Sequence, residues 1–131
     1  MMSFRLVLLA SLLLALPVSA LADPCVAPLP GPSTTFSGVV RYIGDGDSLC
    51  VSRSSDPQTW VEVRLGDFSA PELHDAGGAR AKAMLKALTY GQYLVCRAGR
   101  QSYDRVVARC QLNGAGIGDL LRQNGAVEGG N

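Results

Sequence analysis

The hydrophobic period of this chain changes along its length, and that change limits the folds open to it. From Trp60 to Leu65 apolar residues alternate, with Val61, Val63 and Leu65 on one face and Trp60, Glu62 and Arg64 on the other. Between Gly78 and Leu88 the spacing is helical: Ala81, Met84, Leu85 and Leu88 fall at i, i+3, i+4 and i+7, and Arg80, Lys82 and Lys86 occupy much of the rest. Strand-like segments lie on both sides of that helix. β-Branched and aromatic residues run from Phe36 to Ile43, Gly44-Asp45-Gly46-Asp47 supplies a turn, and Ser48 to Arg53 resumes as a strand, which reads as a hairpin. A second turn covers Ser54 to Gln58. After Gly91 come two more strand-like runs, Gln92 to Ala98 and Val106 to Leu112, and then a short helix from Ile117 to Asn124 that Gly125 terminates. The order predicts a mainly β, α+β domain: a five-stranded OB-type barrel with one helix between strands 3 and 4 and a short C-terminal helix.

The first 22 residues read as a cleavable signal peptide. Arg5 supplies the positive charge, Leu6 to Leu16 an apolar stretch too short to span a bilayer, and Ala20-Leu21-Ala22 a small-residue cleavage site just before Asp23. Export to the periplasm or the exterior is therefore expected, with no membrane attachment after cleavage. Residues 23–35 are a proline-rich leader, residues 36–127 the folded domain and residues 128–131 a frayed tail. The 109 residues left after cleavage suit one domain, expected to be a monomer. Only Arg5 of the charged residues is lost, so eleven basic side chains face eleven acidic ones. Near-zero net charge argues against a tight grip on nucleic acid and for a transient one.

All four cysteines lie beyond the cleavage site, and an exported chain meets an oxidising compartment, so two disulfides are expected. Zinc fits less well, because no cysteine pair has close ligand spacing and His74, the only histidine, is distant from them in sequence. If the hairpin of the last two strands is symmetric about Tyr103, Cys96 and Cys110 sit opposite each other on an inward face, within bridging distance. By elimination Cys25 then pairs with Cys50.

Four features stand at element boundaries: Asp45-Gly46-Asp47-Ser48, Arg64 leading to Ala70-Pro71-Glu72, Tyr103-Asp104-Arg105, and the Gly-ended last helix. Each alone is ordinary turn or surface chemistry. Together, in this order and with eight residues from Arg64 to Glu72, they resemble the staphylococcal-nuclease (thermonuclease) family over about Phe36 to Val127. The resemblance implies calcium-assisted hydrolysis of DNA or RNA phosphodiester bonds. Arg64 and Arg105 would then supply bidentate guanidinium donors to the charge that builds on phosphate oxygens. Glu72 would orient or deprotonate the attacking water. Asp47, Ser69 and the Ala70 carbonyl would hold the calcium ion, and Tyr103 would lie beside the nucleotide.

One departure bears on the metal. The segment reads Asp67-Phe68-Ser69-Ala70-Pro71-Glu72, so Ser69 stands where the family places a second carboxylate ligand, leaving Asp45 and Asp67 as possible substitutes. Weakened calcium binding follows, and Ser69→Asp is expected to strengthen it. Replacing Arg64, Glu72 or Arg105 is expected to lower turnover with little effect on folding. His74 and Asp75 fall outside the motif and read as incidental loop residues. The competing reading is a non-catalytic OB module that binds nucleic acid, peptide or glycan in the same groove.

Overall fold

A computed structural model describes residues 23–129; the signal-peptide segment and residues 130–131 lie outside the described residues. Seven of its regular elements frame the site. Strand β1 covers Thr35–Asp45, β2 Ser48–Ser52 and β3 Trp60–Leu65. Helix α1 covers Gly78–Thr89, strands β4 and β5 cover Tyr93–Ser102 and Arg105–Leu112, and helix α2 covers Ile117–Gln123. The five strands are hydrogen-bonded in the order β3-β2-β1-β4-β5, all antiparallel, and a parallel pairing of β3 with β5 closes the barrel. This is the closed α+β barrel expected of an OB fold, with α1 after the third strand and α2 at the C-terminal end.

The period-two pattern sets what fills the barrel. Val61, Val63 and Leu65 point inward from β3, Leu94, Cys96 and Ala98 from β4, and Val106, Ala108 and Cys110 from β5. Leu85 of α1 and Leu121 of α2 are fully buried against this core. Two irregularities in β1, between Val40 and Tyr42 and between Ile43 and Asp45, let one eleven-residue strand bend enough to pair with both neighbours.

Cys25 is bonded to Cys50 and Cys96 to Cys110, which fits an oxidising compartment. The second bridge sits at a directly opposed β4–β5 position, though not for the reason of simple symmetry. The hairpin tip is a two-residue turn at Tyr103 and Asp104, and a bulge between Ala98 and Gln101 shifts the register by one residue, which brings Cys96 opposite Cys110. The leader contains no helix or strand before Thr35, but it is laid against the barrel: Cys25 is buried, the Ala27 N–H donates to the Trp60 carbonyl, and the Ser33 N–H donates to the Ala98 carbonyl. Residues 128 and 129 make hydrogen bonds to the segment after β3 and to α2. Gly129 N–H donates to the Ser69 carbonyl, and Glu128 accepts from the Ser69 N–H and from Arg122. Two short elements carry no readable period, a 3₁₀ turn at Pro57–Thr59 and a two-residue strand at Ala115–Gly116 that pairs with β5.

Candidate functional site

The Asp45–Ser48 turn is placed by a close approach. A Cβ on Gly46 would lie 2.5 Å from the Ala81 side chain and 2.6 Å from that of Ala70, so only glycine lets the turn tuck between α1 and the segment after β3. That packing delivers Asp47, buried, to Ala70, whose N–H donates to Asp47 Oδ2 at 2.8 Å. Arg64 reaches the same oxygen from the outward face of β3 at 3.3 Å. Its Nη groups also bind its own loop: Nη1 serves the Leu65 carbonyl and, at 2.9 Å, the Phe68 carbonyl, and Nη2 serves Ser69 Oγ at 3.0 Å. Asp47 is thus joined to Arg64, Ser69 and Ala70, a segment that follows it at a distance in sequence, in one hydrogen-bonded knot.

Asp45 is the second carboxylate here. Its Oδ1 accepts from the Asp47 N–H at 3.1 Å and from Ser48 Oγ at 2.7 Å. Burial works against its charge, but these hydrogen bonds and the nearby Arg105 outweigh it and hold its carboxyl below the usual carboxylate range. Asp47 moves the other way, to about 6, chiefly by burial and further by the facing Asp45 carboxyl, against the Ala70 N–H and Arg64. Asp67 turns away from this pair: its Oδ2 accepts the Gly118 N–H at 3.2 Å near the start of α2, whose cap residue, Gly116, has no side chain to offer.

Arg105 begins β5 and lines a cleft of about 250 Å³ together with Asp23, Tyr42, Asp45 and Glu62. No ion pair among the described residues engages its guanidinium. Tyr103, at the hairpin tip, is 92% exposed with φ of 56°, so packing does not explain it. Glu72 sits in an exposed turn before α1, where Gly78 permits the chain to fold back: a Cβ there would fall 2.0 Å from the Glu72 carbonyl oxygen. The Glu72 carboxylate takes part in no ion pair among the described residues. His74 and Asp75 are exposed in the same turn.

No protein-family model and no curated protein matches the chain. A hard dication would be offered the Asp47 and Asp45 carboxylates, whose mutual repulsion it would relieve. Ser69 Oγ accepts from Arg64, so it offers only its remaining lone pair.

Sequence alone gives Glu62 no role beyond its place on the outward face of β3. It stands on the outward face of β3 opposite Cys50, and the Cys25–Cys50 bridge draws Asp23 to it. Carboxylate oxygens of Asp23, Glu62 and Asp104 lie within 4.8 Å of one another. Burial, then the Asp23 and Asp104 charges, push the Glu62 carboxyl up to about 8 despite Arg105. Its outward alternation with Arg64 was the only available signal, since its acidic neighbours come from distant segments.

Proposed function

We propose that this chain is an exported phosphodiester-cleaving nuclease domain of the staphylococcal-nuclease type. The observation that carries the reading is the fold-back of the segment after β3, which sets Ala70 and Arg64 on the Asp47 carboxylate beside Asp45. A site for an anionic, charge-building reaction needs fixed donors and carboxylates in one place before substrate arrives, and this knot supplies them. Arg105, unpaired and on the cleft, would bind the phosphate oxygens. Arg64 keeps its Nε–H for the same purpose while its other donors hold the loop. Glu72, exposed, would position and deprotonate the attacking water. Calcium on Asp47, Asp45 and the Ala70 carbonyl would supply electrostatic stabilisation of the phosphoryl oxygens. Tyr103, strained and exposed, would contact the nucleotide.

Digestion of plasmid and of single-stranded DNA and RNA by the oxidised mature protein tests this. Cleavage with calcium that stops with chelator is the expected result; absence of cleavage with every divalent ion would overturn it. The non-catalytic OB module is the second reading, favoured by one observation: Arg64 spends most of its donors on its own loop and on Asp47.

A further inference from the structure

The basic side chains are not spread evenly. On the outer face of β1, β4 and β5, Arg97 stands directly opposite Arg109, with Thr35 on its other side. Both arginines are exposed, and among the described residues only Arg64 and Arg122 form ion pairs. Like charges directly opposed across a sheet destabilise the free protein. The pair lines a hollow of about 230 Å³ with Gly66, Gly99 and Val107.

Four residues earlier on β4, at ~13 Å by strand geometry, Tyr93 projects from the same face. It is 58% exposed, yet its hydroxyl donates to Ser37 Oγ at 2.7 Å. Ser37 lies two residues along β1 from Val39, the direct partner of Tyr93, so the side chain is tethered diagonally across the sheet while more than half of the residue stays exposed. Arg41 and Arg53 flank it around a second hollow of about 240 Å³. Neither hollow has an acidic lining residue, whereas Asp23, Asp45 and Glu62 line the cleft at Arg105.

We propose that this face binds single-stranded nucleic acid, with phosphates at the Arg97–Arg109 pair and at Arg41 and Arg53, and a base stacked on Tyr93. Guanidinium groups at both ends match phosphodiesters by fork geometry, and a tethered aromatic face between them accepts any base. A phosphate between Arg97 and Arg109 would also remove their repulsion. The proposal holds whether or not the chain cuts what it binds.

Fluorescence anisotropy with a labelled oligothymidylate, in chelator and at low salt, reads it directly. Wild type should bind, and binding should weaken as salt rises. Arg97→Gln with Arg109→Gln should weaken it at least tenfold and reduce the salt slope by about 0.7, the value for the one phosphate held between them on a single strand. Tyr93→Ala should weaken it roughly tenfold with the slope unchanged, as loss of stacking does. Thermal unfolding of the arginine variant should be no lower than wild type, which separates lost binding from lost fold. Absence of wild-type binding, or unchanged affinity in both variants, would overturn the proposal. So would anionic lipid vesicles or heparin binding as tightly as the oligonucleotide with Tyr93→Ala silent, because the face would then be a general polyanion surface.

Discussion

Arg64 is read from the sequence as a free catalytic donor, yet in the fold it holds its loop together. Its side chain is 19% exposed and that of Asp47 only 5%, so removing the guanidinium leaves a carboxylate buried and two carbonyls without their donor. Arg64→Ala should therefore cost about 2–4 kcal/mol in urea unfolding, against the expectation of little effect on folding. A loss below 0.5 kcal/mol would show that the knot contributes little. Tyr103 carries the opposite signature. A bulky residue at positive φ pays for strain, so Tyr103→Asn, which tolerates that conformation, should stabilise the protein by up to about 1 kcal/mol while weakening substrate binding. Both motifs were visible as residue types and spacing. What the residues do was not, because hydrogen-bond partners such as the Phe68 carbonyl and Ser69 Oγ depend on how the loop closes, and sequence order does not state that.

At the scale of elements, periodicity carried most of the information. β3 has the bounds its alternation indicates, and α1 differs by one residue, since burial on one face writes a pattern that survives in a single sequence. The 3₁₀ turn at Pro57–Thr59 and the two-residue strand at Ala115–Gly116 are too short to repeat any period, and the bulge in β4 lies beyond Ala98, where the strand's alternation stops. That bulge decides the pairing of Cys96 with Cys110. Their bridge closes a short loop, so Cys96→Ala with Cys110→Ala should lose about 3 kcal/mol relative to the oxidised wild type, measured by denaturant unfolding. An unchanged midpoint would mean that the strands hold their register without the bridge.

The whole molecule is divided electrically, with carboxylates of Asp23, Glu62 and Asp104 gathered near Arg105 and arginines on the outer β1–β4–β5 face. A near-zero net charge hid this division, because it appears only once the leader is pinned to β2 and the hairpin tip is folded over. Glu62 gives it a measurable consequence. Its folded pKa, about 8, lies above the ordinary 4.5, so the folded state binds this proton more tightly. The stabilisation from that proton is complete below the ordinary value and is lost as pH rises toward and through 8. Glu62→Gln, which keeps the neutral hydrogen-bonding form, should raise the Tm at pH 8 and leave it unchanged at pH 4; a gain of 1 kcal/mol corresponds to about 4–8 °C in a domain of this size. Equal Tm values at both pH values would remove the acidic cleft from the account.

The nuclease reading depends most directly on Arg105, the one arginine at the site with no ion-pair partner among the described residues and no hydrogen bond holding the fold. The decisive measurement is the calcium-dependent cleavage rate of an oligonucleotide by the oxidised mature protein and by Arg105→Ala, with denaturant unfolding as the control for fold. Cleavage by wild type, with a fall of about 10² or more in an equally stable Arg105→Ala, is the predicted result. Calcium-dependent cleavage that survives the substitution undiminished would contradict the account.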